Sequence, residues 1–511
     1  MHQTVISSKL AGALIVWLGF SAPGGAQMAD QKPGAGNDGA VVVSAPEGEA
    51  LSEFYEVSVD GVGAPVYACR VSAEPFNQVW PGYQRPIEQT ELAGFAYWDM
   101  ARPVSVEVRS RRPIESVVVR PSALGIEPRV EGRRITFELD QPRHLVVEVN
   151  GPHHALHLFA SPPETDVPAP DAEGVRYFGP GVHRPGRITL TSNETLYIAA
   201  GAVVYGSVHA TGARNIAVRG RGIIDQAPFE RGEAGGAIRF TDCTGIAIEG
   251  VVMRDPDVWC CSLFGCSDAL IADVKLVGLW RYNADGIDIC NSRDVTVRDC
   301  FVRSYDDAIV LKGLKFGRNS LDDRPVSNVR VSRCTIWCDW GRALEIGAET
   351  CAPEFSDITF EDCDIVRTTH IAMDIQHGDR ALVRDVRFQN IRVEMAEPNP
   401  HPQMQRSPED QYSPPDDDYL PTLFVIVIRG TNYSKDAKRG SVRDVVVRDI
   451  AVTAPRMPSS SIQGFDAAHS VDGVTFENVR LNGKPLLTAE EAGVRIGEHV
   501  ENVRFAVQTG R

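Results

Sequence analysis

The chain has 511 residues, with 52 Lys+Arg against 68 Asp+Glu and so a formal charge of −16. That acidic excess argues against the basic face that nucleic acids and anionic membranes require, so neither is an expected partner. Hydrophobic residues at 43% and charged residues at 23% are ordinary globular usage, which excludes a chain that is disordered or coiled coil throughout.

Lys9 precedes an apolar run from Leu10 to Phe20, followed by Gly24 and Ala26 at the spacing a signal peptidase prefers. Residues 1–26 are therefore expected to be a signal peptide, and the mature protein secreted or periplasmic. The run is too short for a mature span, and no later segment reaches about 18 continuous apolar residues, so no membrane span is expected. Residues 27–50 are rich in Gly, Ala, Asp and Pro without periodicity and read as a flexible leader.

Between 51 and 170, apolar residues alternate in short runs, among them Val104, Val106 and Val108, then Ile135, Phe137 and Leu139. Period-two runs bounded by Gly, Pro and Asp predict strands, and several in succession predict a small β-sandwich. Pro162, Pro163, Pro168 and Pro170 mark its end.

From 171 to 511 a repeat takes over. Asn, Asp or Gly, then an aliphatic residue, recur in NIAVRGRGI, GIAIEGVVM, ALIADVKLV, DVTVRDCFV, NVRVSRCTI, DITFEDCDI, DVRFQNIRV, DVVVRDIAV and GVTFENVRL. The aliphatic positions, Ile216, Ile246, Leu270, Val295, Val329, Ile358, Val386, Val445 and Val474, step by 30, 24, 25, 34, 29, 28, 59 and 29. All-strand repeats of this length predict an all-β fold, a right-handed parallel β-helix of about ten rungs. A propeller blade would need about 40 residues or more. The 59-residue step reads as two rungs, with Phe424 to Ile428 supplying a strand between them. Cys300, Cys334 and Cys363 share one rung position with Val251, Val274 and Ile391, so they are expected to stack inward as small hydrophobes. Cys338 and Cys351 are the disulfide candidates. No cysteine pair has zinc spacing, and no metal or cofactor is expected.

Aligning the rungs superposes DGIDI on DAIVL, so Asp285 and Asp307 are 22 residues, or one rung, apart, with Asp306 beside them. Stacked strands lie about 4.8 Å apart, which brings these carboxyls into one patch. Like-charge crowding raises at least one pKa and leaves an acid protonated at neutral pH, while its neighbours can deprotonate a water. Asp at β-helix turns also serves merely as a cap, the reading given to Asp255, Asp294 and Asp357.

NADGID followed by SYDDAIVLKG resembles the NTDGID and DDxIxxK motifs of the polygalacturonases, family 28 of the glycoside hydrolases. The resemblance spans roughly 175 to 480. It implies that Asp306 is the general acid and that Asp285 and Asp307 activate the attacking water, with inversion at the anomeric carbon. Two departures bear on the substrate. Gly341-Arg342-Ala343 stands where the family has Gly-His-Gly, and Ala372-Met373-Asp374 where it has Arg-Ile-Lys. With Asp288, Glu345 and Asp374 in an outward column and only Lys312 and Arg342 to compensate, a polyuronate is disfavoured. A neutral sugar or a non-standard pectic glycan is expected instead. HLFASPPE and YFGPGVH are similar to the domain junction of the dextranase and isopullulanase family, which adds α-glucans to the expected carbohydrates. Asp288, Lys312, Arg342, Glu345 and Asp374 are the expected substrate contacts, with Tyr282, Tyr305 and Trp340 stacking on sugar rings. His370 and His377 lie nearby in the alignment, and residues 396 to 421 are expected to form a lid or groove wall. A polysaccharide lyase with Arg342 as base, or a non-catalytic carbohydrate-binding coil, are the rival readings. Oligomeric state stays open.

Overall fold

The computed structural model describes residues 39–78, 85–315, 321–395, 399–407 and 409–506. The expected signal at 1–26 and most of the expected leader lie outside them.

Two antiparallel-rich sheets come first. One runs in the order Val62–Ala64, Tyr55–Val59, Val104–Ser110, Arg134–Leu139 and Arg129–Glu131. The other joins Ala40–Val41, Thr90–Met100, Leu156–Ser161, His144–Val149 and Val117–Arg120, with Tyr67–Ser72 also paired to Thr90–Met100. Alternation directs Val106, Val108, Ile135 and Phe137 of the first sheet against Trp98, Leu145, Val147 and Leu158 of the second, making a two-layer core.

The coil begins with Val175–Phe178, and every face is a parallel ladder. Three strands make a rung. The first face stacks Cys261–Phe264, Ile287–Cys290, Ile309–Gly313, Arg342–Thr350, Ile371–His377 and Thr422–Ile428. The second stacks Ser267–Ala272, Arg293–Arg298, Val326–Ser332 and Glu354–Glu361. The third stacks Lys275–Val277, Phe301–Ser304, Thr335–Cys338 and Asp364–Thr368. Their inward side chains fuse into one core that runs the length of the coil.

The Asp and Asn residues of the repeat explain its corners. Asp294, Asp299, Asn328, Asp357 and Asp362 bracket the second-face strands with φ between 52° and 57°, a left-handed turn that Asp and Asn adopt more readily than other side chains. They also pair between rungs: Asn328 Nδ2 donates to Asp294 Oδ1 at 2.8 Å.

The sandwich packs on the third face. Its second sheet also packs outward, and Tyr67, Phe95 and Phe159 meet Val252, Val277, Phe301 and Trp337 in a core that also buries His157 beside Arg303. Phe159 and Phe301 are 4.9 Å apart, ring to ring. At the rim Arg254 Nη2 reaches Glu49 at 2.7 Å, and Arg367 pairs with Glu148.

Three details of the sequence reading change. Val386 pairs directly with Val445, so the 59-residue step is one rung. Its extra length lies in loops either side of Thr422–Ile428, which is the first-face strand of that rung. Ala269, not Leu270, occupies the inward column with Ile246 and Val295, because a strand slipped by one residue presents its other side. Cys338 and Cys351 form no disulfide: all 11 cysteines are free and buried. The Cys334 thiol lies between those of Cys300 and Cys363, the inward stack the repeat predicts.

Native protein is therefore expected to show almost no thiol reactive towards an aromatic disulfide reagent, and all 11 after unfolding without reductant. A lower count in the unfolded protein would reveal a disulfide and contradict this packing.

Candidate active site

Turns leading from the third face into the first carry the acids. After Phe301–Ser304, the Tyr305 ring enters the core and its hydroxyl donates to Phe76 O at 2.8 Å. Ser304 Oγ donates to Asp306 O at 2.6 Å. Gly286 N bonds Asp307 O at 2.8 Å and Asp306 N bonds Ala284 O at 3.2 Å, so this turn lies on the one bearing Asp285. Gly341 of the next turn must be glycine: a Cβ there would come within 2.6 Å of the Asp306–Asp307 backbone.

On the strands that follow, Ser262, Asp288, Val310, Glu345 and Asp374 form one outward column, register by register. Lys312 ties the preceding rungs together. Its Nζ lies 2.7 Å from Asp285 Oδ2, 3.4 Å from Asp288 Oδ1 and 3.5 Å from Asp307 Oδ2. Arg342 does the same higher up, with Nε 3.3 Å from Asp374 Oδ2 and 3.9 Å from Glu345 Oε1, and Nη1 4.0 Å from Asp307 Oδ1. Asp285, Asp306, Asp307, Asp288, Lys312, Arg342, Glu345 and Asp374 are thus brought into one cluster.

Burial separates these carboxyls electrostatically. Asp306 is pushed well above the usual range by burial, with the charges of Asp307 and Asp285 adding to it. Burial would raise Asp307 too, but Lys312, Arg342 and hydrogen bonds from Glu345 and the Arg342 N–H hold it below the usual range. Asp285, 1% exposed, is raised to about 7 by burial despite Lys312. Asp374 is raised to about 6, again by burial, with Arg342 opposing. Burial also raises Asp288 and Glu345 well above the usual range.

The aromatic expectations fare differently. Tyr305 is fully buried and Trp340 is 7% exposed, stacked on Tyr305 at 6.4 Å and against His370 at 5.8 Å. Both are core plugs that fix the turns, so neither offers a face to a sugar. Tyr282 is half-buried, with the Arg231 guanidinium 5.2 Å above its ring. His377 bonds Thr350 Oγ1 and Ala381 O inside the coil, and burial lowers it to about 4. Of the expected lid, residues 396–398 and 408 lie outside the described residues; Gln403–Gln405 pairs in parallel with Phe76–Gln78 of the N-terminal domain in a separate two-stranded sheet, and Tyr419 Oη donates to Thr369 O of the coil at 2.8 Å.

Two aromatics were missed. Trp259, half-buried, lies under Lys312 with 4.3 Å from Nζ to its ring and stacks on Phe264. Tyr433 is 55% exposed, and its hydroxyl senses Asp306, Glu349 and Asp307. Trp259 lies two residues before its first-face strand Cys261–Phe264, in the turn that precedes it. Nothing local marks Tyr433.

Coil and acidic cleft together define the class, a parallel β-helix protein built like the glycosyl hydrolases. Residues 192–401 match the family model of Glycosyl hydrolases family 28, which bears out the resemblance read from the two acidic motifs. Rhamnogalacturonase A of Aspergillus aculeatus is 23% identical over 175 residues, 34% of this chain and 36% of that protein. Probable rhamnogalacturonase A of Aspergillus oryzae is 24% identical over 154 residues, 30% of each. The chain spans about a third of the length of the curated relatives it matches. Dex49A from Penicillium minioluteum shares the fold, with a TM-score of 0.53 over 90% of this chain and 96% of that one at 15% identity. No helix among the described residues is long and apolar enough to cross a membrane.

Removing Lys312 leaves the buried carboxyls of Asp285 and Asp288 without an ion-pair partner and Asp307 with Arg342 alone. Lys312→Met is expected to destabilise the protein by about 3–5 kcal/mol near neutral pH. The loss should shrink as pH falls and the carboxyls take up protons. Denaturant unfolding across pH measures it, and a loss that does not vary with pH would contradict the ion-pair account.

Proposed function

We propose that the protein is an inverting glycoside hydrolase in which Asp306 is the general acid and Asp307, with Asp285, is the base. Asp306 gives its proton to the glycosidic oxygen as the bond to the anomeric carbon breaks. A water attacks that carbon from the opposite face and loses its proton to Asp307. The observation that carries this reading is the opposite displacement of two adjacent carboxyls, Asp306 upward and Asp307 downward, which keeps an acid and a base side by side at one pH. Asp285 shares Lys312 with Asp307 and changes state near neutrality.

The substrate follows from the cations. Lys312 and Arg342 are each engaged by three carboxyls, so neither offers an unmatched charge to a uronate at the cleaved bond. A neutral sugar in that position fits better. The curated relatives are named rhamnogalacturonases, so a rhamnose-containing pectic backbone stands beside a neutral α-glucan as substrate. Arg342 is paired with Asp374 at 3.3 Å and with Asp307 at 4.0 Å, which weighs against its acting as the base of a lyase. The apolar run after Lys9 supports export of the protein by a secretory signal.

Reducing-end release from dextran, pullulan, rhamnogalacturonan and polygalacturonate tests the reading, with NMR of the first anomer formed. Inverted product from a substrate with a neutral sugar at the cleaved bond is expected. Asp306→Asn should lower kcat at least about 100-fold with an unchanged unfolding midpoint. Near-normal turnover by that variant would remove Asp306 as the acid. The wild-type pH profile should show an inflection near 7 that Asp285→Asn abolishes.

A further inference from the structure

The cleft holds more carboxyls than its cations can balance. Among the described residues, the ion pairs that Asp285, Asp288, Asp307, Glu345 and Asp374 make within 4.0 Å are all to Lys312 or Arg342, and Asp306 makes none, so six largely buried carboxyls have two cations at salt-bridge distance. Bound cations are one remedy, but the oxygens of these acids do not gather in threes within 4.8 Å; among the described residues only Cys351, Asp379 and Asp436 do. Protons are the other.

Glu345 is where the geometry requires one. It is 1% exposed, and among the described residues neither of its oxygens receives a hydrogen bond from a donor. Arg342 Nε is 3.9 Å away and turned to Asp374 at 3.3 Å. Its neighbour is the carboxyl of Asp307: the two share the Arg342 guanidinium, with Nε 3.9 Å from Glu345 Oε1 and Nη1 4.0 Å from Asp307 Oδ1. Two carboxyls that face each other in a buried site without a donor for each are reconciled by a proton on one of them. Asp307 already accepts the Arg342 N–H at 3.2 Å and faces Lys312 Nζ at 3.5 Å, contacts that stabilise its charge. Glu345 has neither. The groups facing it are Asp307 and Lys312 from the preceding rung, Arg342 from its own strand and Asp374 from the next.

We propose that Glu345 is a positioning residue, a buried carboxylic acid that donates its hydrogen to Asp307 and thereby keeps Asp307 ionised. This rests on the hydrolase reading for its kinetic test and not for its spectroscopic one. In the infrared difference spectrum of wild type minus Glu345→Gln at about pH 7, the C=O stretch of a protonated carboxyl should be lost. If no such band is lost, Glu345 is ionised and the proposal falls. Kinetically, Glu345→Ala should lower kcat and move the acid limb of kcat/KM up by about one pH unit, because Asp307 loses a donor. Glu345→Gln, which keeps a neutral donor, should restore most of both. An acid limb that moves down, or a Gln variant no better than Ala, would overturn it. Loss of the band from a protein that cleaves none of the glycans would leave Glu345 as assigned and sink the hydrolase reading instead.

Discussion

Parallel stacking sets one rung directly over the next at about 4.8 Å, and the chemistry of the cleft follows from that spacing. Residues at equivalent positions on successive rungs cannot avoid one another. On the second face this is harmless or useful, since Asp and Asn repeat at the corners and bond from rung to rung. On the first face the same geometry stacks carboxyls. Asp285 lies beneath Asp307, and Glu345 beneath Asp374, with apolar rungs on the inner side and little room for water. Crowded, desolvated carboxyls cannot all ionise, so their protonation states must separate.

The two cations decide how. Lys312 bridges two rungs through Asp285, Asp288 and Asp307, and Arg342 bridges the next two through Asp307, Glu345 and Asp374. Asp307 is the residue common to both, which explains why it alone among the buried acids of the cleft is pulled downward. Asp306 lies on the same turn but meets neither cation at salt-bridge distance, so burial and its neighbours' charge push it upward. Adjacent residues in the chain thus acquire opposite states from contacts made one rung either side.

The sandwich contributes by fixing that turn. Tyr305 precedes Asp306, and its hydroxyl is anchored on Phe76 while Arg85 covers its ring at 4.5 Å. Gln403–Gln405 pairs beside the same strand of the sandwich. A rigid support of this kind, packed on the third face through Phe159 and Phe301, restrains the acid from behind without entering the cleft.

Repeat, inward cysteine stack and acidic column were legible because each follows from periodicity, and periodicity survives in a single sequence. What escaped depended on contacts between distant segments. Trp340 and Tyr305 look like sugar platforms by position, yet the core and the Phe76 carbonyl draw them inward. Tyr433 enters from a loop after the first-face strand of a later rung, where no repeat predicts its direction. The long step from Val386 to Val445 misled for a related reason: its extra residues are spent on the sandwich, through Gln403–Gln405, and a count of spacing cannot tell an added rung from an inserted loop. Glu345 shows the limit most clearly. Its outward place in the column was readable, but an outward residue on a β-helix is exposed only if the next rungs leave it so. Arg342 and Asp374 close over it, turning an expected sugar contact into an acid whose partner is the proposed base.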